Sequence, residues 1–154
     1  MSIANLLSPD RISLRNDIRS KKRALEEISG MLAKGANIDA NAIFTSLVNR
    51  EKLGSTGLGA GVAIPHGRVR GLDESVGAVL RLANGIDFES SDGQPTDLVF
   101  GLIVPEDCTE EHLEILRSLA EMFTDDDFTQ KLRNSDSDQA LFELLDQYQP
   151  VTEA

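Results

Sequence analysis

One cysteine, no tryptophan, one tyrosine and two histidines among 154 residues close off several kinds of chemistry. Cys108 alone cannot make an intrachain disulfide framework, so the chain suits a reducing compartment. No apolar stretch approaches the ~20 residues of a membrane-spanning helix; the longest, LVFGLIV at 98–104, falls far short. The N-terminal MSIANLLSPDRISLRND has no sustained apolar segment of signal-peptide type. Positive charge is scarce as well. Fifteen Lys and Arg against 26 Asp and Glu leave a formal charge of −11, which argues against an extended basic surface for nucleic acid. RSKKR at 19–23 is the only dense basic cluster, and at the start of a predicted helix it reads as a solvated face. The absences describe a soluble cytoplasmic protein with no membrane insertion and no nucleic-acid partner.

What is present is enough for a core. Hydrophobic residues make up 40% and charged residues 27%, so the whole of 1–154 reads as one domain of ordinary size. RISL after Pro9 predicts a short strand. Ala24, Leu25, Ile28, Met31 and Leu32 recur at helical spacing between Ser20 and Lys34, and Ile43, Phe44, Leu47 and Val48 mark a second helix after Asp39. VAI at 62–64 and SVGAVLRL at 75–82 favour strands, and the unbroken TDLVFGLIVP predicts a central strand buried on both faces. Helices are expected at about 110–123, 125–133 and 137–148, with TDDD and SDSD supplying caps and early acids. The mixture predicts an α/β domain, helices packed on a mostly buried sheet.

The segment GLGAGVAIPHGR at 57–68 concentrates the signals of function. A Walker loop would end in Gly-Lys-Ser/Thr, and a dinucleotide loop would need a third glycine where Val62 stands, so neither nucleotide reading holds. What remains is a close-packed or flexible approach to His66. Pro65 stiffens the backbone at the end of the expected strand, and Gly67 is expected to keep side-chain bulk away from the imidazole. A lone histidine is more often a satisfied surface or core residue than a reactive one.

His112 changes that balance. It lies in the first turn of the 110–123 helix, on the face of Leu116, Leu119 and Phe123 that packs on the sheet, where a strand-terminal loop can meet it. A buried histidine bonded to backbone is an equally good account of it. The helix N-terminus favours a neutral ring and Glu110, Glu111 and Glu114 a charged one, so its protonation stays open at this level. Cys108-x-x-x-His112 offers too few ligands for zinc, and the acids around Cys108 oppose a thiolate. No G-x-S-x-G elbow exists to support a hydrolase triad.

REKLGSTGLGAGVAIPHG at 50–67 resembles the active-site signature of the fructose–mannitol class of phosphotransferase-system enzyme IIA, with AIPHG matching the segment that carries the phosphorylated histidine. EEHLEILRSLAEMF places His112 at a second active-site histidine of that family, and LLSPDRISL followed by SKKRALEEISGMLA is similar to its nitrogen-regulatory, stand-alone branch. The resemblance covers nearly the whole chain. It implies a mixed β-sheet flanked by helices, phosphorylation of His66 by an HPr-type phosphocarrier, and a site lined by His112 and Arg50. No metal, nucleotide or other cofactor is implied. Chemically, Arg50 offers forked donors to phosphoryl oxygens, and the backbone N–H groups of Gly57, Gly59 and Gly61 are expected to cradle the group. The expected output is control of partner proteins through phosphorylation state. The alternatives are a sugar-specific IIA subunit that passes phosphate to a IIB partner, and a non-catalytic binding module on the same fold.

Overall fold

The computed structural model describes residues 3–149. The ends of the expected 1–154 domain, residues 1–2 and 150–154, lie outside the described residues. Two 3-10 turns, Ile3–Leu6 and Pro9–Arg11, lead into β1 (Ile12–Arg15), and two helices follow, α1 (Lys21–Ala33) and α2 (Ala40–Glu51). Three very short strands come next: β2 (Gly57–Gly59), β3 (Val62–Ala63) and β4 (His66–Val69). The long strands β5 (Val76–Ile86) and β6 (Thr96–Pro105) precede α3 (Glu110–Thr124), α4 (Asp126–Asn134) and α5 (Asp138–Asp146).

All six strands form one mixed sheet in the order β1-β5-β6-β3-β2, and β4 continues β3 along the same edge of β6. β5 and β6 are antiparallel, whereas β1 runs parallel to β5, and β3 and β4 run parallel to β6. The expectation of a central strand at TDLVFGLIVP holds: β6 has partners on both sides, and Leu98 to Val104 are buried throughout. Its side chains alternate between two cores. Val99 and Ile103 join Leu25, Ile28, Leu32, Ile43 and Leu47 under α1 and α2. Leu98, Phe100, Leu102 and Val104 join Ile115, Leu119, Met122, Leu132, Leu141 and Leu145 under the C-terminal helices.

Local chemistry sets the helix starts. The Ser20 hydroxyl accepts from Arg23 N–H at 3.1 Å, Asp125 Oδ1 from Phe128 N–H at 3.1 Å, and Ser137 Oγ from Ala140 N–H at 3.0 Å. The basic cluster at 19–23 is not wholly a solvated face. Lys21 turns inward to pair with Glu51 Oε2 at 2.8 Å and Glu89 Oε1 at 3.2 Å, and its ammonium lies 4.9 Å from the Phe88 ring centre.

Candidate active site

His66 does not end a strand; it begins one. Pro65 has no N–H to give, and the ladder beside β6 lapses over 64–65 before resuming with His66 opposite Leu102. The break leaves the Ile64 carbonyl free to turn toward the ring, and His66 Nδ1 lies 2.8 Å from that oxygen. A carbonyl can only accept, so Nδ1 carries the proton and, in the neutral ring, Nε2 keeps its lone pair. Burial lowers the pKa of His66 below the usual 6.5, against a raising effect of the Ile64 contact, and the Arg50 cation lowers it further. At neutral pH the ring is uncharged with one nitrogen ready to attack.

His112, the third residue of α3, stands edge-on to it. The ring centres are 5.3 Å apart and the planes cross at 71°. His112 is buried, and among the described residues its Nε2 has no hydrogen-bond partner. Desolvation, with His66, Arg68 and Arg50 nearby, lowers its pKa to about 4, which decides the question the sequence left open: this ring is neutral. Arg50, at the end of α2, donates from Nη1 to Gly54 O at 2.9 Å and bears electrostatically on both rings. Chain segments 16 and 46 residues away from His66 thus converge on it.

The glycines have other work. Gly67 does not open space beside the imidazole; it lets β4 lie against α2, because a Cβ there would collide with Ser46 Oγ and stand 3.2 Å from Ser46 Cβ. Gly59 and Gly61 have φ of 90° and 83° and shape the β2–β3 turn, packed on Asp92 and on Arg133 with Asp97. The Gly61 carbonyl bonds to the N–H groups of Asp97 and Leu98, so Gly61 sits ~15 Å along the sheet from the His66–Leu102 pair at ~3.3 Å per residue. Gly57 packs on Ser90 and Ser55. A cradle made of these three glycines is therefore not the arrangement found; their role is to form the hairpin.

Two contributors lie within the motif segments but were not singled out there. Glu51, next to Arg50, accepts the Thr56 N–H at 3.2 Å and the Thr56 hydroxyl while paired to Lys21, and Thr56 O accepts the Ile64 N–H at 3.0 Å. This relay ties α1 to the carbonyl that orients His66. Arg68, two residues along β4, is the other. Their spacing from His66 and Arg50 was readable, but nothing in their residue type separated them from solvated charges. Cys108 is no nucleophile here: desolvation and then Glu111, 3.5 Å from its sulfur, push the thiol pKa up.

Residues 5–148 match the family described as "Phosphoenolpyruvate-dependent sugar phosphotransferase system, EIIA 2". The chain belongs to that family. Among curated relatives, a nitrogen regulatory protein of Pseudomonas aeruginosa is 44% identical over 144 residues, 93% of this chain and 94% of the relative. One of Bradyrhizobium diazoefficiens is 43% identical over 145 residues, 94% of this chain and 95% of its own length. The crystal structure of nitrogen regulatory protein IIA-Ntr from Neisseria meningitidis superposes with a TM-score of 0.87 at 40% identity, covering 93% of this EIIA and 98% of that chain. The mannitol IIA of Escherichia coli, at 24% identity and a TM-score of 0.76 over 90% and 98% of the two chains, shares the fold. No helix among the described residues is long and apolar enough to cross a membrane.

Proposed function

We propose that this EIIA is a cytoplasmic phosphocarrier of the nitrogen-regulatory type, accepting a phosphoryl group on His66 Nε2 from the phosphohistidine of an HPr-type carrier protein. The observation that carries the reading is the neutral His66 ring with Nδ1–H held by the Ile64 carbonyl. In the transfer, the Nε2 lone pair forms a bond to phosphorus as the donor's N–P bond breaks, and the donor imidazole leaves with that electron pair. As Nε2 bonds to phosphorus the ring becomes electron-poor, so the Nδ1–H···O=C bond strengthens and stabilises the transition state more than the ground state. Arg50 and His112 supply donors for the equatorial oxygens, and no covalent step besides this exchange is required.

A protein donor needs a docking face. Leu53, 84% exposed, follows Arg50 in the chain, and Leu113, 62% exposed, follows His112. Apolar side chains left in solvent close in sequence to Arg50 and His112 favour a partner surface over a small substrate. The nitrogen-regulatory names of the relatives support an output through partner proteins. The test is to incubate the protein with phosphoenolpyruvate, enzyme I and an HPr-type carrier. Acid-labile phosphoryl should appear on the parent and vanish in His66→Ala, with the circular dichroism spectrum preserved. Label at parental level in His66→Ala, or efficient onward transfer to a sugar-specific IIB with no phosphorylation-dependent partner, would contradict the reading.

A further inference from the structure

β4 presents its residues alternately to the two faces of the sheet. Gly67 lies on Ser46 of α2, and Val69 belongs to the core under α1 and α2. His66 and Arg68 therefore share the opposite face, the one that α3 covers and from which His112 approaches. Two residues along a strand are ~6.6 Å apart, within the span of an extended arginine side chain. The backbone of Arg68 is pinned, because its carbonyl accepts the Ser46 hydroxyl at 2.9 Å, while its side chain is exposed. Among the described residues its guanidinium has no carboxylate partner and no hydrogen bond. The contrast with Arg70, the next residue on this face, is direct: Arg70 Nε is 3.3 Å from Glu106 Oε2. In a chain of net charge −11, an arginine left unpaired two residues along the strand from His66 and near enough to lower the pKa of His112 is a cation without its anion.

We propose that Arg68 is a phosphoryl-binding residue: from β4 it closes on the equatorial oxygens of the group on His66, which Arg50 meets from the end of α2. The inference rests on the reading of His66 as the phosphoryl acceptor. An arginine carried by the same strand as the nucleophile keeps its backbone fixed relative to that of His66 through the transfer, whereas Arg50 belongs to a separate element. Two forked donors and His112 provide enough hydrogen bonds for three oxygens. The field of Arg68 at His112 agrees with this placement, since it is among the causes that keep that ring neutral.

The experiment uses the full chain and two donors: phosphorylated HPr-type carrier, and phosphoramidate, a small donor that needs no docking surface. Arg68→Gln should slow single-turnover phosphorylation by about tenfold or more with both, as expected for a lost charged hydrogen bond. It should also shorten the half-life of the phosphohistidine, and Arg68→Lys should recover part of each loss. Because the side chain is exposed, the urea midpoint should stay with the parent. A defect confined to the protein donor would make Arg68 a docking residue and overturn the assignment. Parental rates and half-life in Arg68→Gln would overturn it as well, while leaving the role of His66 standing. A parent protein that accepts phosphoryl from neither donor would overturn both.

Discussion

His66 and His112 are close enough that a charge on either raises the cost of a charge on the other, and the Glu51 carboxylate, which favours a charged His66, does not outweigh burial. Both pKa values lie below 6.5, His112 at about 4, with burial the first cause in each case. The unfolded chain therefore binds protons that the folded chain refuses. Stability from this pair is fully present above pH 6.5 and declines as pH falls below it, for His112 down to about 4. The lowered carboxylates Asp10, Asp17 and Asp92 act below this window, because their stabilisation is lost only as pH falls through values under 3.8. Urea unfolding between pH 7.5 and 4.5 should show the midpoint falling, with His112→Gln flattening the curve. A midpoint constant across that range would contradict neutral buried rings. Phosphoryl acceptance should follow the same sign, level above pH 6.5 and falling only below it.

At the scale of elements, β4 has only four residues, yet it positions His66, and its seat on α2 depends on a missing side chain. Gly67→Ala should destabilise the fold by about 1–3 kcal/mol, because the added methyl meets Ser46 and that hydroxyl already holds the Arg68 carbonyl. Adding Ser46→Ala should recover part of the loss in chemical denaturation; additive losses would contradict the contact. The same element shows where sequence reasoning runs short. The helices and β6 announce themselves through long apolar periods and caps, so their positions were legible, whereas the mixed sheet was expected from the family resemblance. β2 and β4 are too short and glycine-rich to show an alternation, and β5 runs on past the expected 82 through the exposed Ala83 to Gly85, an irregular stretch that the register skips between Arg81 and Ile86. The glycines of 57–61 resembled a phosphate cradle because a positive-φ hairpin turn and an anion loop call for the same residue. AIPHG was legible as a motif, whereas the meeting of His66 with His112 depends on α3 returning over the sheet 46 residues later.

For the whole molecule, a phosphoryl group adds about −1.5 to −2 of charge to a chain already at −11, so its global field changes little and partner discrimination has to be local. The locality is built in. His66 lies opposite Leu102 toward one end of β6, with Arg50 and Arg68 bearing on His112, and in the proposed function a phosphoryl group would turn this neutral, cation-edged site anionic. On the proposed function, a partner that buries an apolar or acidic surface there should be repelled by the phosphorylated form, and one that presents arginines favoured, with a coupling of ~1–3 kcal/mol. That account depends on one atom, Nε2 of His66, receiving the phosphoryl. The most direct measurement is nitrogen-15 NMR of the uniformly labelled protein before and after phosphorylation by phosphoenolpyruvate, enzyme I and an HPr-type carrier. The account predicts one phosphoryl per chain, a phosphorus-coupled Nε2 on His66, and an Nδ1 that keeps its proton against Ile64. Phosphorus coupled to Nδ1 of His66, or to either nitrogen of His112, would contradict it.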